Sequence, residues 1–372
     1  MNMQAQLRPF TPSAPVSDKI NQALAQDRRY HPNLGGVTRG GIANHYPMTV
    51  LALQGIGASD AEVESYSRSG GRHRAELDRL PLVDRQEVTA GNWPAFLGQS
   101  ARLLEFRRVF TEQLMRQAPA NVIVEALAVM QNALPMGLFH PLIRLSFAAS
   151  HGDTGMIADA LAYMAIRYLD MYGALQATVN RSASAAEIWR SLEAPPFPPG
   201  ASLHVCEQLC GDPLLQERAG FPDSEHASAQ IVRLALRLYL NEPALTTLHA
   251  VTSAQALAEL QRWAGPGHQT IFRSLWQRYW IWLTGLYLEK GQPPQLPDLG
   301  SDTALADLGS WEQLTAQARV IPEAHLIKMA YSCLWLDRTF GPDGLYRLAV
   351  GKMIEEGRAH PRAGAGLPLL AI

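Results

Sequence analysis

His325 and Lys328 stand three residues apart in a segment, 323–335, that is otherwise apolar. At helical pitch two side chains so spaced share a face. Leu326, Ile327, Met329, Ala330 and Leu334 surround the pair, so this helix is expected to be buried on most sides. Removal from water lowers the pKa of a lysine. The neutral amine can then act as a base, form a Schiff base, or take up carbon dioxide as an anionic carbamate that offers oxygen to a metal. The alternative is a lysine that snorkels to the surface beside an ordinary histidine.

Three more histidines sit in or beside apolar helical patterns. His45 opens the run 44–54, where the positive end of a helix dipole favours the neutral, metal-binding imidazole. His140 precedes Pro141, which fits a first helical position, and so reads as the cap. His249 lies on the stripe Leu245, Leu248, Thr252, Ala256. The remaining seven of the eleven histidines fall in polar or turn-like surroundings. Imidazole suits iron, copper, nickel and zinc, and a centre shared by several helices is a common frame for a redox metal. A set of general acids and bases lining an organic pocket is the reading without metal. Arg144, one turn on from His140, is expected to face solvent or a pocket anion.

Helical patterns fill most of the chain. They run over 17–26, 42–54, 100–133 with a break at Ala118-Pro119, 154–175, 225–240, 243–257, 272–288 and from His325 onward. Gly35, Gly36, Gly40 and Gly41 mark a turn-rich entry. Phe272, Trp276, Trp280, Leu283 and Tyr287 line one helix face. The proline-containing stretch 182–220 reads as a long connection or peripheral insertion. Its His204, Cys206 and Cys210 lack the usual zinc spacing and a second ligand pair, so no zinc site is expected there. The expectation is an all-α fold: a multi-helical single large domain over 1–360 with a buried central cavity, and a loose tail over 361–372.

A chain of 372 residues, 47% hydrophobic, can bury a substantial core. With 32 basic against 34 acidic residues and no basic run, it lacks the footprint that nucleic acid requires. Three cysteines in this length point to a reducing compartment, and the polar N-terminal stretch lacks the apolar core of a secretory signal. Charged and polar residues interrupt the most apolar run, so no membrane span is expected and a cytoplasmic location is. No G-x-G-x-x-G follows a strand pattern, which gives no support to a Rossmann-bound flavin or nicotinamide.

Four ordered blocks, around Asn44-His45, 139–145, 248–253 and 325–328, resemble those of the questin oxidase-like family, with the likeness running from about residue 20 to 356. Members of that family oxidatively open an anthraquinone ring in aromatic polyketide pathways. The resemblance implies His45, His140, His249 and His325 as imidazole ligands to Fe(II), and Lys328 as its carbamate as the oxygen ligand. It implies dioxygen and an aromatic or quinone-like molecule as partners. Lys328, Arg144 and Thr252 are the expected catalytic residues, with Asn44, Thr252, Ser253 and Asp153 orienting the ligands. At Arg144 family members often carry a further histidine. Two other readings accompany this one: an NADPH-dependent, Baeyer-Villiger-like oxidase without tightly bound iron, and a non-catalytic helical binding protein that retains the family core.

Overall fold

The computed structural model describes residues 17–34, 42–70, 75–77, 86–173, 175, 179–180, 184–192, 210–222, 226–292 and 309–359. Over these the protein is an all-α single domain. The helices are α1 (Asp18–Asp27), α2 (Tyr46–Gly55), α3 (Asp60–Gly70), α4 (Leu103–Arg116), α5 (Pro119–Met130), α6 (His140–His151), α7 (Thr154–Ile166) and α8 (Ala185–Ser191). They continue as α9 (Pro213–Arg218), α10 (Ala227–Asn241), α11 (Leu245–Ala264), α12 (Gln269–Glu289), α13 (Trp311–Val320), α14 (Ala324–Phe340) and α15 (Gly344–Ala359).

Local chemistry fixes many of the helix starts. Ser17, Asp153, Ser184, Asp212, Ser310 and Glu323 each accept a backbone N–H of the first turn, and proline opens α5. The break expected at Ala118-Pro119 divides α4 from α5. α7 ends at Ile166 rather than near 175, because the Asp170 carboxylate accepts N–H bonds from Tyr172 and Gly173 and holds the chain in a turn.

Helices that are apolar on every side belong at the centre. In α11 every residue from Thr246 to Leu260 is buried, and in α14 so is every residue from Leu326 to Leu336. Four helices close a ring there: α2 packs on α6, α6 on α11, α11 on α14, and α14 back on α2. Around it, α7 packs on α6 and α4, and α12 on α11.

Within 182–220, the described part is tied to the body. Trp189 stacks on Tyr287 at 4.1 Å and on Trp280 at 5.7 Å, and its indole N–H donates to Thr284. A parallel ladder joins Val179–Asn180 to Phe221–Pro222, so the two ends of this segment meet. His204 and Cys206 lie outside the described residues; Cys210 is buried, and its carbonyl accepts from Gln216. Among the described residues no helix is long and apolar enough to cross a membrane.

Candidate metal centre

The four ring helices all begin at the same place. His45 caps α2, His140 is the first residue of α6, His249 the fifth of α11 and His325 the second of α14. The structure thus brings together the four histidines that the sequence singles out. His45 Nε2 lies 2.8 Å from His140 Nε2, which lies 3.0 Å from His249 Nε2. The His325 ring stands edge-on to His45 at 4.7 Å and to His249 at 5.4 Å between centroids. Ligand atoms of His45, His140 and His325 all fall within 4.8 Å of one another.

Three of these rings are oriented from behind. His140 Nδ1 lies 2.6 Å from the Gly137 carbonyl, His249 Nδ1 2.7 Å from the Leu245 carbonyl, and His325 Nδ1 3.0 Å from Glu323 Oε1. Each of those nitrogens therefore carries the proton, which leaves Nε2 as a bare lone pair aimed inward. Gly137 can reach His140 because Gly137, Leu138 and Phe139 are all left-handed, with φ of 62°, 51° and 60°. Phe139, wedged against Trp282 at 4.6 Å, holds that turn in place. Left-handed Leu and Phe cost on the order of 1 kcal/mol each.

Lys328 is fully buried, and its Nζ has no hydrogen-bond partner among the described residues. Burial pulls its pKa down to about 8. Burial, with the Lys328 charge and the neighbouring imidazoles, holds His45, His140 and His249 well below the ordinary histidine value. Burial also lowers His325, against the opposing pull of Glu323. Four helix N-termini, each equivalent to about half a positive charge, push the same way.

Arg144, expected to face solvent or a pocket anion, is buried and faces the carboxylate of Asp27. Its guanidinium lies 3.5 Å from Asp27 Oδ2 and 3.5 Å from the Asn44 carbonyl, because Asp27 is itself buried and takes two N–H contacts, at 3.1 and 3.2 Å, from the Asn44 amide. Asn44 Oδ1 accepts the Tyr46 N–H, so this network fixes the start of α2 on which His45 sits. Thr252 and Ser253 donate back to the His249 carbonyl. Asp153 is not at the site; it caps α7 by accepting the Met156 N–H. His31, placed by its sequence surroundings in a polar turn, is buried as well, with Nδ1 accepting the Asn33 N–H.

Glu323 and Asp27 also serve the site, beyond the residues expected from the sequence. Glu323 carries the ordinary signal of an acid just ahead of an apolar helical run, and it accepts the His325 and Leu326 N–H groups besides the imidazole. Asp27 gives no such signal, since its partners lie 17 and 117 residues away.

Whether the cluster fits a metal is decided by the His140–His249 pair. Both Nδ1 protons are spent on carbonyls, so two lone pairs face each other at 3.0 Å with no hydrogen between them. Protonating either ring would mend this, but burial and Lys328 oppose that. A cation resolves it: donors about 2.1 Å from a shared ion, at right angles, stand roughly 3 Å apart. The donor set is nitrogen-rich, which suits iron, copper, nickel or zinc and disfavours calcium and magnesium. A comparison with curated proteins returns no match. The questin oxidase-like family profile matches residues 42–333, a span that contains all four histidines and Lys328, and the chain belongs to that family.

Proposed function

We propose that the protein is an oxidoreductase that uses a non-haem iron ion and dioxygen to oxidise or open an aromatic, quinone-type substrate. Family membership supports the coarser part, an oxidoreductase acting on anthraquinone-type compounds. The metal rests on one observation: the facing Nε2 lone pairs of His140 and His249 beside an unpartnered, fully buried Lys328 amine. The choice of iron rests on the family resemblance.

His45, His140, His249 and His325 would hold the ion through Nε2, and Lys328 through an oxygen of its carbamate. The carbamate forms when the neutral amine adds to carbon dioxide: the N–C bond forms, one N–H proton leaves to solvent, and the product is an anion. Four converging helix N-termini favour that anion over an ammonium. When bound, iron supplies activation of dioxygen beside the aromatic ring. The chain's own part is orientation and dryness. Gly137, Leu245 and Glu323 fix the imidazoles, and the apolar faces of α11 and α14 exclude water. Arg144 acts through Asp27 and Asn44 on the start of α2, and Thr252 through the His249 carbonyl.

Metal analysis of protein purified without chelator or nickel resin tests this, with His249→Ala and Lys328→Ala compared at equal folded concentration. Stoichiometric iron in the wild type, lost in both variants while helicity persists, is the expected result. Absence of metal, with no uptake of added ferrous iron, would overturn the proposal. NADPH-linked turnover by that metal-free protein would then put the nicotinamide-dependent reading in its place.

A further inference from the structure

Outside the histidine cluster, a buried carboxyl group is hydrogen-bonded to side chains of three of the ring helices. Glu259 lies on α11 ten residues beyond His249, about 15 Å along the axis. Its carboxyl is buried, 6% exposed, in the middle of a polar knot that the metal site does not use. Ser146 of α6 and Gln255 of α11 donate to Oε2, each at 2.7 Å, and Tyr331 of α14 donates to Oε1 at 2.8 Å. Ser150 of α6 adds a further side-chain bond. Ser332 of α14 donates to the Gln255 amide oxygen at 3.1 Å. The donors thus come from each helix that carries His140, His249, or His325 with Lys328.

The fourth ring helix joins through packing. A Cβ placed on Gly55, the last residue of α2, would stand 2.4 Å from the Tyr331 ring. The glycine lets α2 lie directly against the aromatic face whose hydroxyl is held by Glu259. Tyr331 is one turn beyond Lys328, and Ser146 six residues beyond His140. A wholly apolar contact here would tolerate sliding of one helix on another, whereas a carboxylate with fixed donors on three helices does not.

We propose that Glu259 is a positioning residue: its carboxylate ties α6, α11 and α14 in one register, Tyr331 extends the tie to α2, and the knot thereby sets the spacing of the histidines and Lys328. This rests on the metal reading above. Burial raises the pKa of the Glu259 carboxyl, while the bonds from Ser146, Tyr331, Ser150 and Gln255 pull against that; Tyr331 is the titratable group facing it from the neighbouring helices.

The test uses full-length protein stripped with chelator and titrated with cobalt(II), reading affinity and the visible ligand-field spectrum beside thermal midpoint and helicity. Glu259→Leu is expected to weaken cobalt binding by about tenfold or more and to alter the spectrum. Val109→Ala, a buried change on α4 matched for loss of midpoint, is expected to bind as the wild type does. Glu259→Gln, which keeps length and one acceptor, should recover part of the affinity. Should Glu259→Leu fail to fold, Tyr331→Phe removes one bond of the knot and should shift the spectrum in the same sense. Wild-type affinity and spectrum in Glu259→Leu, or in Tyr331→Phe where that variant stands in, would overturn the proposal and leave the carboxylate a folding residue. Failure of the wild type itself to take up cobalt would instead remove the metal reading, and this inference with it.

Discussion

An amine buried with no hydrogen-bond partner among the described residues, as that of Lys328 is, is an uncomfortable group when no ligand meets it. Desolvation at neutral pH is the cost, and the charge of Glu323 offsets only part of it. Lys328→Met keeps the stem volume and removes the amine. In chelator-treated protein it is expected to raise stability by ~1–3 kcal/mol in a urea unfolding curve, and in untreated protein to abolish retained metal. A stabilising change that destroys binding is the signature of a functional rather than a structural lysine; loss of stability in Lys328→Met would count against it. The pair His325–Lys328 is legible in the sequence because helical spacing and apolar neighbours act within one turn. The orientation of Arg144 is not, since it follows from Asp27, 117 residues earlier, and no local pattern encodes so distant a partner.

At the scale of the element, the decisive feature is how each helix begins. Glu323 has two tasks: it caps α14 through the His325 and Leu326 N–H groups, and it holds the His325 imidazole. The two separate by substitution. Glu323→Ala loses both and should cost about 1–2 kcal/mol of stability with metal removed. Glu323→Gln keeps an acceptor for the cap but not the charge, so stability should fall little while metal affinity falls by roughly 10–100-fold. Chemical denaturation and metal titration of the two variants distinguish these outcomes, and equal metal affinity in Glu323→Gln and wild type would contradict the second task. The apolar stripes locate α11 and α14 from sequence, because burial on all sides needs apolar residues on all sides. The left-handed turn before α6 is not legible: only Gly137 of its three residues favours that conformation, and the surrounding side-chain packing imposes it on Leu138 and Phe139.

Over the whole molecule the cluster makes stability depend on pH. The four histidines have lowered pKa values in the folded state, so below about 6.5 the unfolded chain binds protons that the folded one refuses. Stability of chelator-treated protein should therefore rise from pH 5 to pH 7, on the order of 1 kcal/mol per imidazole, and flatten in His249→Leu. It should rise again between about 8 and 10.5, where Lys328 is neutral when folded and charged when unfolded. Guanidinium unfolding at stepped pH would measure both windows, and a flat profile from 5 to 7 would contradict the first. The all-α architecture is legible throughout the sequence, but the closure of α2, α6, α11 and α14 into a ring is not, because ring order is a long-range property that helical periodicity does not carry. That ring has a consequence for the order of events in synthesis. His45 and Lys328 are 283 residues apart, so at about 5–20 residues per second a quarter of a minute to a minute separates the first donor from the last. Until α14 is made, α2 and α11 lack the neighbour that joins them. Under the metal assignment proposed above, the full ligand set exists only once α14 has been made, so complete coordination of the ion waits for synthesis of nearly the whole chain.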